Sequence, residues 1–561
     1  MNEARLSVRV LQAGISAAIV TFASSLAYLF LGGWALVGGA IIAGVIGGTL
    51  IERLRLAIAL TTVASSGALL LSRRALATGT IEWLTENAWG RTAVPGDIIS
   101  TMFPSSAAIQ ASSLYAYAGV AAASALTAYL TSTALTATGK TRPLAHAPAT
   151  VLLFVVIGGM VSGASTVDPG PAAERLREPG SFRYDAAVYR QTHLLMVEDG
   201  LDYYEAFVTA ASQDARLIEQ ESVRDGKFVD WATSPNYIRL PYLFWLWEAV
   251  RSLGMNVFQF SMIASSLVLI GSYWAFYPVF RHRAAIMPAL LYPWFVAHAT
   301  WVNLFFPDFW AGLFGLASLF LILRERWLTA GAFALAAALC REAAAIWLVL
   351  LIFAALVPKP DRQTDRNRRD ILFYLGCFAL FWVAVYLHQE PAARLITDST
   401  DALPVSEMLG WSAARPLLEK FVNPAGHVMY PYGFFAIPPI ALVVAAPIGY
   451  WLSLKSRPRR VRATVLAGSV FWLGFTLIIG APSSYWGQLY TAQAVLGTTA
   501  LMLVLAGRQL LPLESAHGNE RDPCHHQREP NPLDGSEPLA QHQDRDHGDT
   551  YIRQAEEGEG V

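Results

Sequence analysis

The chain has 561 residues, of which 54% are hydrophobic and only 15% charged, with a mean hydropathy of +0.39. Soluble domains carry about 25% charged residues, so this composition excludes an ordinary soluble protein and predicts a membrane protein. Its three cysteines, Cys340, Cys377 and Cys524, lie too far apart in sequence to form a CxxC metal motif or to indicate a disulfide framework.

The formal net charge of −1 is unevenly distributed along the chain. Residues 514–561 hold 12 acidic residues and 4 arginines, a net charge of −8, so the remainder carries +7. The same stretch is rich in Pro, Gly and Gln, which predicts a disordered cytoplasmic tail over 511–561.

Apolar runs, taken in chain order, predict an all-α polytopic fold with about fourteen transmembrane helices, each needing about 20 residues to cross the bilayer. The predicted spans are 11–31, 34–50, 56–72, 114–136, 147–165, 257–280, 284–302, 305–323, 328–340, 343–357, 371–388, 432–453, 463–482 and 486–506. The neighbouring runs 328–340 and 343–357 are too short to cross alone. Interrupted helices are tolerated at membrane depth only inside protein or beside a cavity, so this pair predicts a cavity.

Short basic clusters predict the orientation, because Lys and Arg accumulate in cytoplasmic loops. Seven clusters fall on one side when every predicted span is counted: Arg5/Arg9, Arg53/Arg55, Lys140/Arg142, Arg281/Arg283, Arg324/Arg326, the 359–369 run and the 455–462 run. Arg73 and Arg74 fall on the other side, where their side chains can snorkel to the interface. We therefore predict a multi-pass protein of the cell membrane with both termini cytoplasmic.

Composition also predicts a division of the chain. The first four spans are rich in Ala, Gly, Ser and Leu, which suits close helix packing, and form a predicted N-terminal membrane module over 1–146. Residues 147–510 form the predicted membrane core, whose long external loop covers 166–256.

The stretch 166–241 holds 13 of the 30 acidic residues that precede the tail, interleaved with aromatic residues. Connectors between helices are usually short, and long loops with clustered ionisable and aromatic residues tend to carry sites. Within it, 185–199 is predicted to be an amphipathic helix. The sequence therefore predicts that this partly helical loop carries the functional site.

The residue pattern of this loop resembles the membrane glycosyltransferases of the GT-C superfamily, which use polyprenyl-phosphate-linked sugars. The pattern consists of Asp185, Tyr189, Gly200, Tyr203, Tyr204 and then Arg239-Leu240-Pro241 before an apolar helix. The run AALCREAAAIWL at 337–348 also resembles a GT-C helix pair with an outward-pointing arginine. The resemblance covers about 150–506.

The resemblance implies a GT-C-like helical core and an inverting, mannosyltransferase-like enzyme of the cell envelope. Its donor would be a polyprenyl-phosphate-linked sugar, and its acceptor a glycan, lipid or protein. Membrane lipid is the other implied partner, and we expect no nucleic acid. Asp185 would be the base that activates the acceptor, and Arg239 and Arg341 would meet the donor phosphate.

Two departures from the family pattern leave the base open. Four predicted spans precede the one at 147–165, and Asp185 stands alone where the family has an adjacent acidic pair. Glu198 and Asp199 are therefore further candidates for the base. Asp185 also suits the cap of the predicted helix.

Other residues are candidates for substrate binding. Arg239 lies beside Pro241, which can begin a helix, and a phosphate suits a helix N-terminus with an arginine. A salt-bridged structural role is the alternative. Ionisable residues between apolar halves tend to be functional, which favours Arg341 with Glu342, although Arg341 can also form an internal pair. The remaining substrate-binding candidates are Tyr189, Tyr204, His298 and Asp308, the last of which also suits a helix cap.

No cofactor is indicated with certainty. Asp202 and Glu205 leave open the binding of a divalent cation, because carboxylate oxygens suit such ions. No residue is predicted as a metal ligand. A second class of function is a transporter or flippase of a lipid-linked or small polar substrate, since broken helices with intramembrane charges suit that class as well.

Overall fold

The structure is a computed structural model. It describes residues 2–31, 34–51, 53–78, 106–136, 146–165, 185–219, 223–224, 227–228, 239–298, 303–356, 364–395, 439–478 and 489–506. The predicted tail at 511–561 lies outside these residues, as do 79–105 and 396–438.

The described residues are mostly helical, as predicted. The first part of the chain contains α1 (Asn2–Phe30), α2 (Ala35–Leu50), α3 (Leu54–Ala77), α4 (Ser106–Gln110), α5 (Leu114–Thr136) and α6 (Ala147–Ser165). The polar middle segment contains α7 (Asp185–Glu198), α8 (Tyr203–Ala211), α9 (Ala215–Glu219), the strands β1 (Val223–Arg224) and β2 (Lys227–Phe228), and α10 (Tyr242–Ser252).

The remaining elements are again strongly apolar helices. They are α11 (Val257–Phe280), α12 (Ile286–His298), α13 (Pro307–Leu323), α14 (Trp327–Cys340), α15 (Ile346–Leu356), α16 (Thr364–Arg394), α17 (Pro439–Ser453), α18 (Arg459–Ile478) and α19 (Thr491–Leu505). Short 3₁₀ turns at Arg281–Ala285, Asn303–Phe305 and Glu342–Ala345 lead into α12, α13 and α15.

Five stretches of helix among the described residues are long and apolar enough to cross a bilayer: Ser7–Leu29, Leu54–Ala77, Leu114–Leu135, Val257–Tyr292 and Arg368–Arg394. Several other apolar helices, among them α2, α13, α14 and α19, are shorter. The fold is therefore compatible with an all-α membrane protein. The number of fourteen spans and the boundary between 146 and 147 stay predictions.

Close packing of the first helices depends on small residues, as their composition indicates. Helix α2 packs against α1, α3 and α5, and it also contacts α6. A Cβ added at Gly48 would come within 2.7 Å of the carbonyl oxygen of Ala128 in α5. Only glycine at this position lets the two backbones approach so closely, which is the usual role of small residues between membrane helices.

The polar segment packs as short helices whose ends are satisfied locally. Asp202 immediately precedes α8 and caps its N-terminus. Its carboxylate accepts hydrogen bonds from the backbone N–H groups of Tyr204 at 2.7 Å and Glu205 at 3.0 Å. Such a cap satisfies amides that the helix itself leaves unpaired. The strands β1 and β2 form an antiparallel hairpin that pairs Val223 with Phe228.

This hairpin is joined to a distant helix. The backbone N–H of Phe228 donates to the carbonyl of Leu395, directly after α16, at 2.8 Å. Because Phe228 is also fully buried, the hairpin couples the polar segment to the end of α16.

The short apolar pair predicted at 328–340 and 343–357 is confirmed as α14 and α15. The helix breaks at Arg341, whose backbone is extended with φ −150° and ψ 120°. Its N–H still donates to Ala337 and its carbonyl accepts from Ala344, each at 2.9 Å. The break therefore redirects the chain without leaving these two backbone groups unpaired, which is a requirement for a buried interruption.

We predict that Gly449→Ala lowers stability by about 1–3 kcal/mol, because overpacking a close contact strains it. The new Cβ of α17 would overlap the carbonyl oxygen of Gly497 in α19. Thermal unfolding of the purified full chain measures the effect.

The matched control is Gly474→Ala in α18, where no described atom lies within 4 Å of the added Cβ. It should unfold at the wild-type temperature or slightly above it, since alanine favours helix by up to about 1 kcal/mol. Equal unfolding temperatures for the two variants would contradict the close α17–α19 contact.

Candidate functional site

A buried ion pair lies at the break between α14 and α15. The Nε of Arg341 is 2.9 Å from Oδ1 of Asp308, and the two side chains are only 4% and 2% exposed. Asp308 is the second residue of α13, so Pro307 and the start of that helix set its position. Burying charges is costly unless they are paired, and each of these residues supplies the partner that the other requires.

Glu342 connects this pair to the surface. Its carboxylate lies 3.9 Å from Nη1 of Arg341, and its side chain is 40% exposed. The sequence allows two roles for Arg341, an internal pair and a phosphate contact. The structure shows the internal pair, with Asp308 as the nearer partner and Glu342 as the outer one.

Arg239, from the end of the polar segment, belongs to the same network. Its Nε donates to the hydroxyl of Tyr189 at 3.3 Å. Burial by itself would lower the pKa of this guanidinium, but Tyr189, Glu342 and Asp308 raise it above its usual value. Arg239 therefore stays charged, and it interacts electrostatically with the two carboxylates that pair with Arg341.

Aromatic side chains hold Arg239 and Tyr189 in place. The hydroxyl of Tyr203 donates to the backbone carbonyl of Arg239 at 2.7 Å, and burial raises the pKa of this phenol well above its usual value. The rings of Phe244 and Phe306 pack against Tyr189 at centroid distances of 6.3 and 6.5 Å. Tyr203 thus positions the backbone of Arg239, and the two phenylalanine rings position its side-chain partner Tyr189.

The structure brings five predicted substrate-binding residues together: Tyr189, Arg239, Asp308, Arg341 and Glu342. They come from α7, the segment before α10, the start of α13 and the break after α14. Two cations and two carboxylates therefore meet in one mostly buried cluster, which we call the arginine cluster.

Tyr204 lies apart from the arginine cluster, on α8. Its hydroxyl is 3.0 Å from Nδ1 of His388 in α16, and the two rings stack with centroids 5.7 Å apart. Burial raises the pKa of Tyr204 to about 12, so the hydroxyl keeps its proton. The sequence interpretation did not include His388, because nothing in the sequence links α16 to the polar segment.

The structure describes the side chains of two of the three candidates for the base, Glu198 and Asp199. Helix α7 begins at Asp185, whose side chain lies outside the described part of the structure, so its catalytic and capping roles both stay predictions. Glu198 and Asp199 are exposed at the other end of α7. The side chain of His298, at the end of α12, also lies outside the described residues.

The sequence did not predict a second pair, in which a buried histidine meets a partly exposed glutamate. Nε2 of His193 lies 3.1 Å from Oε1 of Glu248 in α10, and the imidazole packs edge-on against Trp247. Burial lowers the pKa of His193 to about 4, although the Glu248 carboxylate opposes that shift. His193 lies four residues after Tyr189, on the same face of α7, and this spacing was the signal that could have identified it.

Metal binding has little support in the described residues. They contain no group of three or more His, Cys, Asp or Glu side chains placed to hold an ion. Asp202, one of the two carboxylates considered for a divalent cation, caps the N-terminus of α8.

A pocket lies close to the broken helix pair. It is a small pocket, lined mainly by apolar and aromatic side chains from α13, α15, α17, α18 and the start of α19, including Trp347, Tyr450, Trp472 and Tyr490. Trp347 follows Glu342 by five residues, so one wall lies about 10 Å along the chain from the arginine cluster.

Comparison with protein-family models, curated proteins and solved structures gives no match to this chain.

Because the Asp308–Arg341 pair is buried, we predict that Asp308→Asn lowers stability by about 3–5 kcal/mol, the usual cost of leaving one charge of a buried pair uncompensated. Unfolding of the purified chain in detergent measures the loss. The double variant Asp308→Leu/Arg341→Met should recover most of it, since apolar replacement of a buried pair is often neutral.

Glu390→Gln serves as the control, because Glu390 and Arg394 form a pair in which both side chains are more than 70% exposed. Its effect should stay below about 1 kcal/mol. If Asp308→Asn were as harmless as this control, the proposed importance of the buried pair would be wrong.

The low pKa of His193 predicts a pH-dependent stability. Between pH 6.5 and 4 the unfolded state binds a proton at His193 that the folded state does not, so stability falls as the pH falls. With a folded pKa of about 4, the loss between pH 7 and pH 5 is roughly 2 kcal/mol. His193→Gln should unfold with a correspondingly weaker pH dependence over this range, and identical slopes for variant and wild type would exclude the shift.

Proposed function

We propose that this chain is an integral membrane glycosyltransferase of the GT-C type. It takes a sugar from a polyprenyl-phosphate donor and passes it, with inversion, to an acceptor at the external face. The supporting observation concerns Arg239 and Arg341, which are 102 positions apart in sequence. Arg341 pairs with the carboxylates of Asp308 and Glu342, and the same two carboxylates interact electrostatically with Arg239.

The chemistry of the proposed reaction requires positive charge at a leaving phosphate. An oxygen of the acceptor bonds to the anomeric carbon, the bond from that carbon to the phosphate oxygen breaks, and its electron pair leaves with the phosphate. Guanidinium groups stabilise that developing charge best when they are held in advance. Asp308 holds Arg341 and Tyr189 holds Arg239, which satisfies this condition.

The acceptor hydroxyl loses its proton during the transfer. Asp185 is the proposed base, because a carboxylate at the start of α7 lies on the helix that also supplies Tyr189. Residues 185, 189 and 193 are spaced by four and share one helix face. Glu198 and Asp199, at the exposed far end of α7, are the alternatives.

The donor's lipid tail needs an apolar site. The pocket between α13, α15 and α17–α19 offers aromatic and aliphatic walls, and its Trp347 follows the arginine cluster by one short turn. We propose that the first isoprene units enter on this side.

The proposal includes a location. About fourteen spans in the cell membrane, with both termini cytoplasmic, would put the polar segment 185–252 and the tip at Arg341 and Glu342 on the same external side. The five described helices that are long enough to span a bilayer support the membrane assignment itself.

A transporter or flippase is the second candidate, and one observation favours it. The helix interruption at Arg341 combines a buried charge pair with two short apolar helices, and transporters use such broken helices at substrate sites. Sealed vesicles containing the purified chain separate the two classes. A transporter accumulates unmodified substrate, whereas a transferase forms a glycosylated product in open and sealed vesicles alike.

We predict that Asp185→Asn lowers sugar transfer by about 10²–10⁴-fold, the typical cost of losing a general base, while donor binding survives. Arg341→Ala should instead weaken donor binding first. The measurement is transfer from a polyprenyl-phosphate-linked sugar by purified protein, normalised to the folded fraction.

Glu198→Gln and Asp199→Asn are the matched controls, since each removes one carboxylate from the opposite end of α7, where both sites are exposed. If one of these variants lost sugar transfer while Asp185→Asn kept normal turnover, the residue changed in that variant would be the base. Normal turnover in all three would overturn the assignment of a base to α7.

A further inference from the structure

The turn between α13 and α14 has an unusual backbone. Glu325 adopts a left-handed conformation with φ +58°. Its N–H donates to Ile322 at 3.0 Å, and the N–H of Arg326 donates to Leu321 at 2.8 Å. This is the helix ending in which glycine is usual, and a glutamate there costs on the order of 1 kcal/mol or more. The side chain at 325 must therefore contribute something that glycine lacks.

Arg457 shows what that contribution is. From the turn between α17 and α18, its Nη2 donates to the carbonyl of Leu323 at 2.7 Å and to Oε1 of Glu325 at 3.1 Å. The carboxylate thus holds an arginine against the C-terminal end of α13, where cations are favoured. The two turns are joined at this point.

The joined turns carry more positive charge than these contacts need. The two turns, 324–326 and 454–458, contain one carboxylate, Glu325, and four cations: Arg324, Arg326, Lys455 and Arg457. Burial lowers the pKa of Arg324. The nearby cations Arg457 and Arg326 lower that pKa further, and the carboxylate of Glu325 raises it. Like charges held this close repel, so a bound anion would stabilise the arrangement.

Two tryptophans indicate where that anion lies. The guanidinium of Arg324 lies 4.6 Å from the ring centroid of Trp274, and the ammonium of Lys455 lies 4.9 Å from that of Trp451. These rings, on the apolar helices α11 and α17, are 38% and 52% exposed. Exposed tryptophans on membrane helices mark the headgroup level, so these two cations are held at the depth of lipid phosphates.

We propose that Arg324, Arg326 and Lys455, with Trp274 and Trp451 beneath them, bind the phosphate of an anionic phospholipid. The exposed apolar rings favour a lipid over free phosphate, because they offer an acyl chain a surface that a free ion does not use. The inference rests on the proposed membrane location and is independent of sugar transfer, which is neither required nor measured in its test.

The test is a titration of the detergent-purified full chain with phosphatidylglycerol, read by native mass spectrometry, with phosphatidylcholine in parallel. Wild type should retain phosphatidylglycerol selectively. The variant Arg324→Gln/Arg326→Gln/Lys455→Gln should bind it roughly 100-fold more weakly, at about five-fold per cation. Lys455→Gln alone, at an exposed side chain, should lose about five-fold and keeps the test valid if the triple variant unfolds.

The control Arg9→Gln/Arg53→Gln/Arg55→Gln removes the same charge from exposed positions near the first helices, and should bind like wild type. If this control lost as much affinity for phosphatidylglycerol as the Arg324→Gln/Arg326→Gln/Lys455→Gln variant, the attraction would be diffuse and the proposed site would be wrong. Equal retention of the two lipids by wild type would overturn it as well, as would displacement of the lipid by inorganic phosphate at matched concentration.

Discussion

The buried pair of Asp308 and Arg341 is the interaction on which the described core depends most. A guanidinium among apolar helices is expensive unless a carboxylate meets it, so α13 must begin where α14 breaks. That condition fixes the contact of α13 with the α14–α15 pair. Arg239 and Glu342 interact electrostatically with the same pair, and a carboxylate near two guanidiniums lowers the cost of burying each.

Elements with a strong local signal were predictable from the sequence. Long apolar runs gave helices near the predicted positions, and the shortness of 328–340 and 343–357 indicated the break at Arg341, since neither run can cross a bilayer by itself. The glycine-rich composition of α2 indicated tight packing, which the contact of Gly48 with α5 explains. In each case the deciding physics lies within about 20 residues.

Interactions between distant segments were not predictable in the same way. Asp308 suited a helix cap by its position after Pro307, and only the packing of α13 against α14 shows that it meets Arg341. The stacking of Tyr204 on His388 joins residues 184 positions apart. His193 carried a local signal in its spacing from Tyr189, but its partner Glu248 lies on another helix. Side-chain pairing across helices depends on their relative rotation, and hydrophobic periodicity does not define that angle closely enough.

The backbone at Arg341 has a mechanical consequence. Its N–H donates back into α14 and its carbonyl accepts from the turn that leads into α15, so each half is hydrogen bonded up to Arg341 and the change of direction is confined to a joint of one residue. One residue inserted there would turn every later side chain of α15 by about 100° and would move Trp347 off its wall of the pocket. The length of this joint, more than the chemistry of its neighbours, therefore sets the register between the two halves of the interrupted helix.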